Sequence, residues 1–215
     1  MDLQGKKVVF LGDSITEGKG ATDIEHRYTN VFARLSGCEI FVDGIGGTRI
    51  ARQHVPMDER WDQDFNGRVA GLPNEADIVV VFGGTNDFGH GDAPFGTFSD
   101  QTVDTFYGAL QVLCKNLIEK YPKSVIMFMT PLHRITEYER VNKYGQTKQP
   151  LIDYVNAIRY VCEYYSLPVL DLYKVSGMQP SVEIIQQTYM PDGLHPSNAG
   201  AEKIARLLYQ FLRNL

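Results

Sequence analysis

The segment Asp77–Phe82, which reads DIVVVF, constrains the fold more than any other part of the chain. An unbroken run of β-branched residues is typical of a strand that is buried on both faces of a parallel sheet. Parallel strands need long crossover connections, which helices usually supply. Four further runs have the length of strands and complete a predicted set of five: Lys7–Leu11, Glu39–Asp43, Val125–Met129 and Pro168–Asp171.

Segments with apolar residues at helical spacing separate these runs. Helices are predicted over residues 28–35, 103–121, 150–162, 182–187 and 197–212. Gly37 is a predicted helix stop, and Pro150 is a predicted first helical residue. The alternation of strands and helices predicts a three-layer α/β fold, in which helices cover both faces of a parallel sheet.

The composition narrows the class of protein. The 215 residues fit one domain, predicted over residues 1–215, that can bury a core without disulfides or a structural metal. A net charge of −5 gives no overall basic field, so we expect no nucleic-acid partner. No segment approaches the roughly 20 apolar residues of a membrane-spanning helix, and the first residues do not resemble a secretory signal. The three cysteines include no Cys-x-x-Cys pair, so we expect reduced core thiols in a cytoplasmic protein without a membrane partner.

The first strand runs into a glycine-flanked turn, Leu11–Gly18, that places Ser14 at the carboxyl end of the strand. Open parallel sheets bind their ligands at this edge. Ser14 therefore has two interpretations. It is either an accessible nucleophile or the N-cap of the next helix, and the motif alone favours the cap.

Three further segments have the order and spacing that a catalytic site would need: Gly44–Thr48, Gly83–Asp87 and Asp192–Pro196. With these four blocks the chain resembles the GDSL, or SGNH, family of esterases and acylhydrolases, which is named for a serine, a glycine, an asparagine and a histidine in separate blocks. The matching residues are Ser14, Gly47, Asn86 and His195, with Asp192 three residues before the histidine. The resemblance implies a flavodoxin-like sheet of strand order 2-1-3-4-5 and an esterase activity.

The resemblance also implies roles for these residues. A serine hydroxyl is a poor nucleophile at neutral pH, so Ser14 would need His195 as a base and Asp192 to orient the imidazole. The implied oxyanion hole consists of the backbone N–H groups of Ser14 and Gly47 and the side-chain amide of Asn86. The structural alternatives are that Gly47 serves only a turn, that Asn86 forms an Asx turn, and that Asp192 opens another turn.

The expected substrate is a short acyl ester, with an acetylated carbohydrate as one candidate, and we expect no cofactor or metal. Asp13, His90 and Phe95 are predicted to bind substrate, because they lie beside the serine or in the loop after the asparagine. The polar segment Arg134–Gln149 is predicted to be an excursion over this site. By contrast, the charged stretch Trp61–Phe65 fits a surface helix or turn better than a site. The sequence does not fix the oligomeric state.

Two other functions are weighed against the esterase. One is a catalytically silent flavodoxin-like module that binds a sugar or a nucleotide, and the complete serine, histidine and aspartate set counts against it. The other is a metal-dependent phosphoesterase, although the sequence has no compact metal-ligand motif. Its ligands would be Asp13, Asp87, Asp192, His90 and His195.

Overall fold

The centre of the molecule is a five-stranded parallel sheet. A computed structural model describes residues 1–142 and 144–215. Its strands are β1 (Lys7–Gly12), β2 (Glu39–Gly44), β3 (Ile78–Phe82), β4 (Val125–Met129) and β5 (Val169–Leu170). The strand order is β2-β1-β3-β4-β5, which confirms the order that the resemblance implied.

Helices connect the strands and cover the sheet. They are α1 (Ser14–Glu17), α2 (Tyr28–Ser36), α3 (Phe65–Arg68), α4 (Thr85–His90), α5 (Phe106–Lys120), α6 (Leu151–Tyr164), α7 (Leu172–Val175), α8 (Glu183–Tyr189) and α9 (Asn198–Arg213). Short 3₁₀ turns lie at Ile24–His26 and Val69–Gly71.

Alternate residues of each strand point to opposite faces of the sheet and form two cores. Val79 and Val81 of β3 belong to the core that includes α5 and α6. Ile78, Val80 and Phe82 belong to the core that includes α2 and α9. All five side chains are buried, which explains the uninterrupted apolar run and confirms the three-layer α/β fold.

Helix boundaries differ from the predicted ones where a cap or a loop contact intervenes. The apolar stripe suggested a helix from residue 103, but Thr105 caps α5 by accepting a hydrogen bond from Gly108 N–H, so the helix begins at Phe106. Val103 packs against the core from the loop before the helix. Pro150 occupies the N-cap position of α6 and is not its first helical residue. The helix therefore begins at Leu151, one residue later than predicted.

The described part of Arg134–Gln149 forms turns, with one isolated bridge between Val141 and Thr147. It lies against α4, where Lys148 Nζ donates a hydrogen bond to Phe88 O at 2.9 Å. Among the described residues, no helix combines the length and the apolar character needed to cross a bilayer. The cysteines are buried and free, as expected: Cys38, Cys114 and Cys162.

Candidate active site

Strands β1, β2 and β3 end at paired positions on the carboxyl edge of the sheet. Gly12 of β1 pairs with Gly44 of β2 and with Phe82 of β3. The loops that leave these strands therefore begin side by side. They carry Ser14 and Gly47, and the third leads into α4 with Asn86.

The turn after β1 requires a glycine and presents the serine. A Cβ atom on Gly12 would overlap Thr16 Oγ1, so no larger residue fits between the strand and α1. The N-cap of α1 is Asp13, whose carboxylate accepts a hydrogen bond from Ile15 N–H at 3.0 Å. Ser14 is the first residue of the helix and is not its cap. Its hydroxyl remains available for another partner.

That partner is His195. The Ser14 Oγ atom lies 3.0 Å from His195 Nε2, and His195 Nδ1 lies 2.6 Å from Asp192 Oδ2. The other carboxylate oxygen, Asp192 Oδ1, accepts backbone N–H groups of Leu194 at 2.9 Å and His195 at 2.6 Å. An ionised carboxylate can only accept, so Nδ1 carries the ring proton and Nε2 offers a lone pair to the hydroxyl. This arrangement can move the hydroxyl proton to the imidazole.

The electrostatic setting keeps the imidazole neutral. Burial lowers the pKa of His195, and the positive charges of Lys19 and Arg134 add to this effect. Asp192 opposes it, but the net pKa of His195 lies below its ordinary value. Partial burial raises the pKa of Asp192, yet the hydrogen bonds from His195 and Leu194 outweigh it and hold the pKa below its usual range. At neutral pH, Asp192 is therefore an ionised carboxylate and His195 a neutral imidazole.

The candidate oxyanion donors belong to the loop after β2 or bind it. A Cβ atom on Gly46 would stand 3.6 Å from Ser14 Cβ, so the loop after β2 passes directly along the serine. Gly47 has φ +80°, a conformation that glycine adopts without strain. Asn86 Nδ2 donates to Thr48 O at 3.0 Å. An amide has two N–H hydrogens, so this bond leaves one for a ligand.

Two buried carboxylates support the loops from the interior. Burial raises the pKa of Asp87 to about 6. Hydrogen bonds from the N–H groups of Ala51 and Ile50, at 2.9 and 3.0 Å, oppose this rise. These bonds tie α4 to the chain after the Gly47 loop. Burial likewise raises the pKa of Asp13 to about 7, against the hydrogen bond from Ile15. Asp13 is 1% exposed, and its carboxylate caps α1.

The other predicted substrate-binding residues lie in different places. His90 ends α4, and its Nδ1 atom lies 3.2 Å from Arg49 Nη1. Phe95 packs against Phe106 and Tyr154, with ring centroids 6.0 and 5.0 Å away. It lines a cavity of about 320 Å³ whose described lining includes neither the serine nor the histidine of the site. The structure thus brings His90 close to the Gly47 loop and leaves Phe95 apart from it.

Arg49 was not predicted, although it organises the Gly47 loop. Its side chain is buried and donates to Gly47 O at 3.3 Å and to Asp62 Oδ1 at 2.9 Å. An arginine cannot accept a hydrogen bond, so the nearby His90 Nδ1 must do so, which places the proton of a neutral ring on Nε2. No motif marks Arg49, because its partners come from distant segments.

Glu17 supports the same loop from α1. Its Oε2 atom accepts a hydrogen bond from Gly46 N–H at 2.9 Å, and Arg60 forms an ion pair with it. The spacing of a serine followed three residues later by a glutamate is the signature of a capping box. That signal could have singled out Glu17, but the carboxylate binds the neighbouring loop instead.

No group of three or more His, Cys, Asp or Glu residues that could hold a metal is found in residues 1–142 and 144–215. The ligands named for the phosphoesterase alternative are engaged separately. Asp13 and Asp87 accept backbone N–H groups inside the protein, whereas Asp192 and His195 bind each other.

Comparisons with known proteins show the family and the fold. The model of the GDSL-like lipase/acylhydrolase family matches residues 10–203. No curated protein sequence matches the chain. Among solved structures, a protein from Lactobacillus plantarum is similar at 33% identity and a TM-score of 0.83, over 98% of each chain.

Two more distant structures share the fold. A lipase/acylhydrolase from Enterococcus faecalis has 20% identity and a TM-score of 0.68, over 97% of this chain and 96% of its own. The native aryl esterase of M. smegmatis has 18% identity and a TM-score of 0.69, over 98% of this chain and 100% of its own.

Proposed function

Because the chain belongs to the GDSL-like lipase/acylhydrolase family, we propose that it hydrolyses short acyl esters through an acyl-enzyme formed on Ser14. The observation that carries the proposal is the hydrogen-bonded series from Ser14 Oγ through the His195 ring to Asp192, with distances of 3.0 and 2.6 Å. Similar structures described as a lipase/acylhydrolase and an aryl esterase support the same class of reaction.

In the proposed first half-reaction, Ser14 Oγ attacks the carbonyl carbon of the ester while His195 Nε2 takes the hydroxyl proton. The tetrahedral intermediate then collapses, the bond from carbon to the alcohol oxygen breaks, and His195 returns the proton to the leaving alcohol. Water then attacks the acyl-enzyme while His195 takes its proton. Collapse of the second intermediate releases the acid and returns the proton to Ser14 Oγ. Asp192 holds the reactive tautomer and stabilises the imidazolium that forms twice in each cycle.

The proposed oxyanion hole consists of Ser14 N–H, Gly47 N–H and the Asn86 amide. Fixed donors aimed at the developing charge are commonly the largest catalytic contribution. Two features support this assignment: the Gly47 loop passes along the serine, and Asn86 is anchored by its bond to Thr48 O.

A short acyl group suits the confined position of the nucleophile, since Ser14 and His195 are each only 6% exposed. An acetylated carbohydrate is one substrate that fits this proposal. A series of esters of one alcohol, from acetate to octanoate, tests the chain length. We expect kcat/KM to be highest for acetate or butyrate, and a maximum at octanoate would contradict the short-acyl assignment.

Replacing Asn86 with alanine should lower kcat by about 10²–10³, the usual effect of deleting one oxyanion donor, with a smaller change in KM. Asn86→Asp should be at least as harmful, because a carboxylate repels the oxyanion. Steady-state kinetics on an acetate ester measures both, and thermal unfolding checks that the Thr48 loop survives. A change in KM alone would assign Asn86 to substrate binding instead.

The pH dependence follows from the lowered pKa of His195. Protonation of the imidazole removes the base, so kcat/KM should fall toward acid pH with a midpoint below 6.5. Lys19→Gln removes a positive charge that lowers this pKa, so the midpoint should move up. The shift should be small, because Lys19 is exposed and screened by solvent. A midpoint above pH 7, or a downward shift in the variant, contradicts this assignment of the base.

A further inference from the structure

A short segment crosses the Gly47 loop and is held there by charged groups. We call residues Met57–Asp62 the strap. Arg49 Nη2 donates to Trp61 O at 3.2 Å and to Asp62 Oδ1 at 2.9 Å. Asp62 Oδ2 in turn accepts Met57 N–H at 2.8 Å, which closes the strap on itself. These bonds fix the position of the strap relative to the loop beside the serine.

Trp61 lies directly on the proposed oxyanion loop. A Cβ atom on Gly47 would come within 2.7 Å of Trp61 Cγ and 2.8 Å of Cδ1, so the indole covers the α-carbon of Gly47. The indole centroid lies 5.9 Å from that of His90, with 37° between the planes. Trp61 and His90 thus stand together beside the donor Gly47.

Trp61 is nevertheless 42% exposed, and it is the only tryptophan of the chain. Tryptophan has a large apolar surface that can pack against the face of another ring, and aromatic side chains commonly line ligand sites. Three exposed charged residues precede it: Asp58, Glu59 and Arg60. An apolar surface with a polar rim suits a ring that has an apolar face and polar edges better than it suits a long alkyl chain.

We propose that Trp61 is a substrate-binding residue that stacks on one face of a six-membered ring in the alcohol portion of the ester. The inference rests on the proposed function, in which Gly47 N–H binds the oxyanion and the acyl group is short. The ring therefore belongs to the leaving alcohol. A pyranoside and an aryl alcohol share this chemistry, and the experiment distinguishes them.

The first test compares acetate esters with and without a ring: ethyl acetate, phenyl acetate and an acetylated methyl pyranoside. For Trp61→Ala, the ratio of kcat/KM on a ring ester to kcat/KM on ethyl acetate should fall about tenfold, mainly through KM, as expected for one lost stacking contact. Trp61→Phe should restore much of the ratio. The ring ester with the larger fall identifies the preferred alcohol.

Phe41 offers a matched control, because it is 44% exposed but lies on β2. Phe41→Ala should leave the ratio unchanged. An equal loss of kcat on all three esters in Trp61→Ala would show that the indole only packs the oxyanion loop, and an unchanged ratio would show that it does not touch the ring. Either result overturns the inference.

The second test measures binding without turnover. In Ser14→Ala, tryptophan fluorescence reports on position 61 alone, since the chain has no other tryptophan. Titration with the acetylated pyranoside or phenyl acetate should give a saturable change, and ethyl acetate a much smaller one. No change with either ring ester would overturn the inference while leaving the esterase mechanism intact. By contrast, undiminished turnover in Ser14→Ala would contradict the proposed function itself.

Discussion

Ser14→Ala should reduce ester hydrolysis to background, a loss of about 10⁶ in kcat, the size found when the nucleophile of such a unit is removed. The thermal transition should hardly change. Asp13, and not Ser14, caps α1, and the Ser14 hydroxyl bonds to His195. The variant therefore loses a reacting group and little of the packing. Steady-state kinetics and thermal unfolding of the same preparation measure both effects.

Ser36 provides the matched control for this variant. It is also a buried serine, and its hydroxyl donates to Phe32 O at 2.7 Å within α2. Ser36→Ala should keep its activity and lose some stability, the reverse of the result expected for Ser14→Ala. Turnover that persists in purified Ser14→Ala would exclude this serine as the nucleophile.

His195→Ala should fall to a residual rate similar to that of Ser14→Ala, because the nucleophile and its base act as one unit. Their losses should not add, so the double variant should be no slower than either single variant. Kinetics of the three variants on one acetate ester tests this. A double variant far below both would mean that the two residues act independently.

His26 is a close control for the histidine. It pairs with Asp23 three residues before it, with Nδ1 2.8 Å from the carboxylate, as His195 pairs with Asp192. His26 lies in an exposed 3₁₀ turn. His26→Ala should retain wild-type turnover, which would show that the pairing matters only where it meets Ser14.

The strands could be predicted from the sequence because burial on both faces leaves a direct compositional trace. The run Val125–Met129 was predicted with its observed bounds, and β3 differed by one residue. Helix starts were harder, since local capping competes with periodicity. Val103 continues the apolar stripe of α5 but contacts the core from a loop.

The residues of the candidate site also differ in how well the sequence predicts them. The spacing of Asp192 and His195 predicted that both could lie on one turn. In the structure, His195 Nδ1 lies 2.6 Å from Asp192 Oδ2. Arg49 and Trp61 gave no local signal, because their roles arise from contacts between separate loops. The charges around Trp61 suggested a surface segment, and the indole is indeed partly exposed, but it also lies on Gly47. Only the fold could reveal that contact.

Other expectations from the sequence stay predictions. They include the single domain over residues 1–215, the cytoplasmic location, the absence of a nucleic-acid partner, and substrate binding by Asp13, His90 and Phe95. Of these three, His90 lies next to Trp61, with ring centroids 5.9 Å apart.

Covalent labelling with a serine-directed fluorophosphonate tests the acyl-enzyme mechanism most directly. The account predicts one adduct per chain, located by mass spectrometry on Ser14 within the tryptic peptide Val8–Lys19. Ser14→Ala should not be labelled, and labelling of the wild type should slow at acid pH as His195 becomes protonated. An adduct on another residue, or none in protein that still hydrolyses esters, would contradict the assignment of Ser14 as the nucleophile.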